Sequence, residues 1–166
     1  MNIPKTEDKY TLEFDPKEYL NEYYLVEPEI EDKFVVEFMV KALRDMPPDL
    51  LILEFGGGPT LFAVAALAPQ AYEIHFCDYV AASLNEVQRW LDNEADAFNW
   101  DPYIKLALEK EGRPTTPQAV AHRVAEMRRK VTRLITCNAL ASAPLGQNTI
   151  QYDLVVAQAV TETAAR

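Results

Sequence analysis

The sequence predicts a doubly wound α/β fold with a mostly parallel sheet. Short apolar runs alternate with longer segments of helical periodicity, a pattern typical of parallel strand pairing. The first apolar run breaks into Gly56, Gly57 and Gly58, and the second ends in Asp78. The predicted strands are residues 50–55, 73–78, 133–137 and 153–157.

The helices follow from periodicity and from start and stop signals. One predicted helix begins at Lys17 after Asp15-Pro16, and another begins at Pro117 after the capping Thr116. The other predicted helices cover residues 29–44, 61–67, 84–91 and 103–110. The helix predicted at residues 29–44 carries an apolar stripe made of Ile30, Phe34, Val35, Phe38, Met39 and Leu43. Residues 99–102 read as a turn.

Composition narrows the function classes. The 166 residues carry a net charge of −10 and a pI near 4.7, so nucleic acids and anionic membranes are poor partners. The polar N-terminal stretch has no signal-like apolar core, and we expect a cytoplasmic protein. Cys77 and Cys137 each lie in an apolar run and are expected to be reduced core residues. The basic run 128–130 is expected near a helix C-terminus.

The glycine-rich loop indicates a nucleotide site. Glycines directly after a buried strand let the backbone turn sharply and approach a ligand, and a helix starting near Thr60 would aim N–H groups at it. Asp78 lies about 20 residues further on, where a carboxylate reaches ribose hydroxyls in such folds. The alternative role for Asp78 is to cap the following helix.

Two cofactors suit an acid in that position. A dinucleotide site favours a third small residue where this chain has Leu61, and Pro59 interrupts the turn, which weakens NAD. S-adenosylmethionine needs the same close backbone approach without a pyrophosphate. Glu54, just before the glycines, adds an acid for its sulfonium or ammonium end.

Four tyrosines precede the first strand: Tyr10, Tyr19, Tyr23 and Tyr24. Their polar tips suit a lid over a polar ligand. The alternative is an amphipathic helix whose aromatic rings pack on the core.

Several stretches together resemble one family. These are residues 14–24, Gly56-Gly-Gly-Pro-Thr60, Cys77-Asp-Tyr79 and 90–102 with its Ala97-Phe-Asn-Trp-Asp-Pro102 segment. They are similar to class I methyltransferases of the nicotinamide, phenylethanolamine and thioether (indolethylamine) N-methyltransferase family. The resemblance runs from about Tyr10 to the end of the chain and implies a Rossmann-like fold that binds S-adenosylmethionine.

The resemblance also implies site residues. Tyr10, Tyr19 and Tyr24 belong to the cofactor lid, with Tyr24 at the carboxylate end. The other implied cofactor-binding residues are Glu54, Gly56, Gly57, Gly58, Thr60 and Phe62 at the methionine part, Asp78 and Ser83 at the ribose, and Tyr79, Asn138 and Ala139 at the adenine. Departures from the family pattern are Asn138 for an aspartate, Ser83 for a longer amide and Phe62 for a tyrosine.

The sequence and this resemblance together imply a helical cap at 1–48 and a cofactor-binding domain at 49–166. The resemblance also implies that this domain lacks the last strands and most of the amine-recognising acids of the family. The expected reaction is methyl transfer to a small-molecule amine, for which orientation supplies most of the rate, so no general base and no metal ligand are nominated. The alternatives are a non-catalytic cofactor-binding or interaction module, and an NAD-dependent oxidoreductase. Self-association through the open sheet edge is a further expectation.

Overall fold

The structure is a computed structural model and describes residues 13–25, 27–158 and 160. The helices are α1 (Pro16–Tyr23), α2 (Ile30–Arg44), α3 (Phe62–Leu67), α4 (Ala81–Leu91), α5 (Asp101–Lys110) and α6 (Pro117–Lys130). The strands are β1 (Leu50–Phe55), β2 (Ala71–Asp78), β3 (Val131–Thr136) and β4 (Leu154–Val156). All four predicted strands are confirmed, with ends displaced by at most two residues.

The four strands form one parallel sheet in the order β3-β2-β1-β4. β1 and β2 are its central strands, and in the described part of the chain β3 and β4 are the edges. The order reverses after β1, because the chain first moves outward through β2 and β3 and then crosses to the other side of β1. The carboxyl end of the sheet beside this reversal is where α/β folds bind ligands.

The two faces of the sheet are covered unequally. Ile52, Ile74 and Phe76 belong to the large core, to which α2, α3, α5 and α6 also contribute. Alternate residues point to the other face, where Leu53 and Cys77 form a small cluster with Cys137. Both cysteines are buried free thiols, as predicted.

Two details of the helices differ from the sequence predictions. In α2 the buried face is made of Val36, Met39, Val40 and Leu43, whereas Ile30, Phe34 and Phe38 are exposed. The helix is apolar on two sides, so periodicity alone did not fix the side that packs. Residues 99–102 are only partly a turn, since Asp101 and Pro102 form the first turn of α5, where proline is tolerated.

The C-terminal end of α6 is confirmed as basic, with Arg128, Arg129 and Lys130 in its last turn. Lys130 is buried, and its Nζ donates to the Ala68 carbonyl just after α3 (2.6 Å). This lysine therefore joins two helices in addition to complementing the helix dipole. Within the described residues, no helix is both long and apolar enough to cross a bilayer.

Candidate functional site

The glycine loop is hydrogen-bonded directly to the end of the neighbouring strand. Phe55 pairs with Cys77 in the register of β1 and β2. One residue later, the N–H groups of Gly56 and Gly57 both donate to the Cys77 carbonyl, at 2.8 and 3.2 Å. The backbone of the loop is thus fixed at the carboxyl ends of the two central strands.

Two of the glycines are required for different physical reasons. A Cβ on Gly57 would lie 2.3 Å from Cζ of Phe76, a ring that is itself fully buried. Gly58 has φ +61°, a left-handed conformation that other residues adopt at a cost, and the space around its Cα is open. The first glycine allows close packing beneath the loop, and the second leaves free space above it.

Thr60 closes the loop. Its backbone N–H and its hydroxyl both donate to the Gly57 carbonyl, at 3.3 and 2.7 Å. The helix expected near Thr60 begins two residues later, at Phe62, and has only six residues, all of them buried. The burial of the helix follows from its composition, since every side chain from Phe62 to Leu67 is apolar and packs into the core.

Asp78 ties the loop to the second strand. Its Oδ2 accepts from the Gly58 N–H (2.8 Å) and its Oδ1 from the Val80 N–H (2.8 Å). The hydroxyl of the buried Ser83 in α4 lies near this carboxylate. Burial raises the pKa of Asp78 above its ordinary value, although the hydrogen bonds to the carboxylate and the Ser83 hydroxyl partly offset this by lowering it. The structure thus brings the predicted loop, Asp78 and Ser83 together around one carboxylate.

Glu54 is a buried acid beside the loop. It is 2 % exposed, and its Cγ would lie 3.1 Å from a Cβ built on Gly57. Its Oε2 is buried and has no hydrogen-bond partner among the described residues. Burial raises the pKa of Glu54 to about 8. An unpartnered buried carboxylate oxygen is costly, and a cationic ligand group would satisfy it.

The predicted lid is an aromatic cluster at the start of α3. The Tyr24 ring stacks on Phe62 (centroids 5.9 Å apart) and lies 5.6 Å from both Trp100 and Tyr103. Tyr19 contacts Tyr24 from the outer side, with centroids 5.9 Å apart. Burial raises the pKa of the Tyr24 phenol, and the neighbouring Tyr19 raises it further. Tyr24 therefore packs on the core, as the second alternative for this segment predicted, and it does so beside the first residue of α3, whereas the lid role stays a prediction.

The predicted adenine residues lie at the next strand end. The Cys137 N–H donates to the Asp78 carbonyl (2.9 Å), which places Asn138 and Ala139 beside Asp78 and Tyr79. Asn138, Ala139 and Tyr79 are all exposed. The Asn138 Oδ1 accepts from the Leu140 N–H (2.9 Å), so this side chain also shapes its own turn.

One predicted site residue cannot be compared with the structure, and the structure also shows features that the sequence predictions did not include. Tyr10 lies outside the described residues. An open cleft of about 610 Å³ between the start of α1 and α4 is lined by none of the predicted site residues. Sequence reasoning also missed the Cys77 carbonyl and the Phe76 ring, which hold the loop from below. The Phe76 ring and the Cys77 carbonyl can be identified as supports of the loop only when the strand register is known. In that register Glu54 pairs with Phe76 and Phe55 pairs with Cys77.

A parallel sheet in this order, with a glycine loop after β1 and a carboxylate after β2, defines a Rossmann-like α/β protein and is consistent with the methyltransferase class. Sequence comparison makes the assignment specific. Residues 4–166 match the NNMT/PNMT/TEMT family, and the chain belongs to that family.

Individual relatives agree with the family assignment. The chain is 32% identical to indolethylamine N-methyltransferase of Mus musculus over 146 residues, and these cover 84% of the chain and 54% of the relative. It is 30% identical to nicotinamide N-methyltransferase of Homo sapiens over 149 residues, covering 85% of the chain and 54% of the relative. Similarity to human phenylethanolamine N-methyltransferase is 27% identity over 95 residues, 57% of the chain and 33% of the relative. The chain thus spans about half the length of the first two.

Proposed function

We propose that this chain forms the S-adenosylmethionine-binding part of an N-methyltransferase that acts on a small-molecule amine. Membership in the family supports methyl transfer, since the relatives carry the names of indolethylamine and nicotinamide N-methyltransferases. The main observation that supports cofactor binding is the buried, unpartnered Oε2 of Glu54 beside an open glycine loop. The ammonium group of S-adenosylmethionine is a cation of the kind this oxygen needs.

The residues around the loop fit the other parts of that cofactor. Glu54, Gly58 and Thr60 would hold the methionine part, and Gly56 and Gly57 shape the loop beneath it. Asp78 has accepting lone pairs left for a ribose diol after its two backbone hydrogen bonds, and Ser83 supports it. Tyr79, Asn138 and Ala139 would surround the adenine, with Asn138 as the hydrogen-bonding side chain.

When bound, the cofactor supplies a methyl group on a positively charged sulfur, already activated for transfer to a nucleophile. The chain's own contribution is orientation and exclusion of water. The backbone of the loop is held by Cys77 and Asp78, and the rings of Tyr24 and Phe62 stack on each other at the start of the helix that follows the loop. Orientation of this kind accounts for a large share of the rate in such displacements.

The finer features stay proposals. Residues 1–48 would act as the helical cap and 49–166 as the cofactor domain, which agrees with the contact of Tyr24 with Phe62. Self-association through β4 would use a strand that is paired only with β1 among the described residues and whose Val155 is 53% exposed. A cytoplasmic location stays a prediction from the sequence.

Thermal unfolding of the chain with S-adenosylmethionine, S-adenosylhomocysteine and NAD tests the proposal. A ligand present at 100 times its Kd stabilises the fold by about 2.7 kcal/mol. We expect a clear upward shift in Tm with both adenosyl ligands, little with NAD, and a much smaller one in Asp78→Ala. The absence of any shift with the adenosyl ligands would refute cofactor binding and leave an interaction module, and a shift with NAD alone would point to an oxidoreductase.

A further inference from the structure

A buried histidine joins two elements of the fold on the less-covered face of the sheet. His75 in β2 is 2 % exposed. Its Nδ1 lies 2.9 Å from the Tyr152 hydroxyl, and its Nε2 lies 2.9 Å from Oε1 of Glu73. Tyr152 belongs to the segment that links β3 to β4, so the histidine connects that segment to the centre of the sheet.

With the imidazole ring neutral, the direction of each hydrogen bond in this group follows from the chemistry of its partners. The Glu73 carboxylate can only accept, so Nε2 carries the proton, and in the neutral ring Nδ1 then accepts from the Tyr152 hydroxyl. The Tyr152 oxygen in turn accepts from Nδ2 of Asn148 (2.9 Å). Thr132 donates from β3 to the same Glu73 oxygen, and the hydrogen bonds from Thr132 and His75 lower the pKa of Glu73. We call Glu73, His75, Asn148 and Tyr152 the strap.

Residues 138–150 connect the strap to the predicted adenine position. The Asn148 N–H donates to the Leu145 carbonyl (3.2 Å), and the Asn138 N–H donates to the Pro144 carbonyl (2.9 Å). Leu145 packs with Tyr152 against the small cluster around Cys77. A continuous path of hydrogen bonds and packing thus runs from His75 to Asn138.

We propose that the strap positions Asn138 for recognition of the adenine edge, with His75 and Tyr152 as positioning residues rather than ligand contacts. This inference rests on the proposed function, in which Asn138 reads the adenine. The Cys137 N–H bond to the Asp78 carbonyl fixes the start of this turn, but Asn138 is exposed and its turn is built from neighbours in sequence. The orientation of its side chain therefore also depends on what holds residues 138–150 to the sheet.

Hydrogen exchange of the ligand-free chain tests the strap itself. In Tyr152→Phe the ring stays and one hydroxyl is lost. We expect amides within residues 138–150 to exchange about fivefold faster, the ratio that one hydrogen bond supplies, with the amides of β1 unchanged. Tyr72→Phe, at a 51% exposed tyrosine of the same strand as His75, is the control and should leave the segment unchanged. Uniform acceleration across all strands, or none in the segment, would overturn the proposal.

Ligand binding tests the positioning role. We expect the chain to prefer S-adenosylhomocysteine over S-inosylhomocysteine, which carries a carbonyl in place of the adenine amine, and Tyr152→Phe to reduce that preference about fivefold. Two histidine variants separate hydrogen bonding from packing. In His75→Asn an oxygen at the Nδ1 position still accepts from Tyr152, whereas His75→Gln keeps only a donor for Glu73. The preference should persist in the first and fall in the second, and equal loss in both would show a purely structural role.

The two proposals can fail separately. If the unmodified chain binds neither homocysteine derivative, the proposed function is wrong and the positioning role falls with it, although the exchange result still decides whether the strap exists. If the chain binds both derivatives with equal affinity, the cofactor proposal survives and recognition by Asn138 is refuted. A preference that Tyr152→Phe leaves intact overturns the strap's role alone.

Discussion

The two halves of the candidate site are built in contrasting ways. The loop at Gly56–Gly58 is bonded through its backbone to the central strand β2 and rests on the buried ring of Phe76. The half at Asn138 follows an edge strand, is exposed, and is shaped by hydrogen bonds between near neighbours in sequence. The first half is part of the core, and the second half is attached to it.

This difference indicates a division of tasks. A core-built loop has almost no freedom to adjust, which suits the part of a cofactor whose position decides the reaction. An attached turn tolerates substitution, and in this chain its anchoring depends on a few side chains such as Tyr152. Substitutions in the first half should therefore change stability and binding together, and those in the second half should change binding with little loss of stability.

Glu54 gives the largest expected effect. Its pKa rises from an ordinary 4.5 to about 8 on folding, so the native state keeps a proton that the unfolded chain loses between those pH values. The free energy of unfolding therefore falls as pH rises from about 4.5 to about 8 and then levels off. Glu54→Gln should remove this decline. At pH 9 its free energy of unfolding in urea should exceed that of the unmodified chain by on the order of 3 kcal/mol.

Glu86→Gln is the matched control for this substitution. Glu86 is also buried, but its carboxylate is paired with Arg89 at 3.0 Å. Removing its charge should leave stability unchanged or lower it, since the guanidinium then loses a partner. A gain in stability for both variants would mean that loss of any buried charge is favourable and that Glu54 has no special status.

Gly57→Ala should cost about 2 kcal/mol of unfolding free energy, because the new methyl group meets the Phe76 ring at 2.3 Å. The loop then has to move, and we expect affinity for S-adenosylhomocysteine to fall at least tenfold in calorimetric titration. Phe76→Leu in the same chain should restore part of both losses by making room. If the single variant were as stable as the parent, the loop would not be the rigid half of the site.

Asp78→Asn should cost about 1.5 kcal/mol, since an amide can accept only one of the two backbone hydrogen bonds that the carboxylate accepts. Affinity for the adenosyl ligand should also fall about tenfold. Asp153→Ala serves as the comparison, because it removes the carboxylate that accepts from the Leu51 N–H (2.8 Å) at the other end of β1. That variant should lose stability and keep its affinity, and a similar loss of affinity in both would remove Asp78 from the site.

The core-built half was also the more predictable half. An apolar run that ends in Gly56-Gly57-Gly58 and a second run that ends in Asp78 specify strands and a ligand loop by local pattern alone, and β1 has the predicted bounds. The face of α2 that packs was not predictable, because Phe34 and Phe38 are as apolar as the residues that are buried. Which apolar face is covered depends on partners distant in sequence.

The supports of the site were hidden for a similar reason. Phe76 and the Cys77 carbonyl lie under the loop only because β1 and β2 pair in one particular register. The sequence does not indicate a partner for His75, because its contact with Tyr152 spans 77 residues. Residue types can suggest a ligand loop, whereas the contacts that hold it need the sheet to be assembled first.

Asn138→Ala gives the smallest expected effect on stability and the sharpest test of the contrast. The Asn138 Oδ1 accepts from the N–H two residues later, and Asn99 makes the same local contact with the Asp101 N–H (3.0 Å) far from the adenine position. Both alanine variants should lose about 0.5 kcal/mol, because each loses one exposed hydrogen bond. Only Asn138→Ala should weaken S-adenosylhomocysteine binding, about fivefold by calorimetry. Equal affinities in the two variants would show that the exposed half holds no part of the ligand.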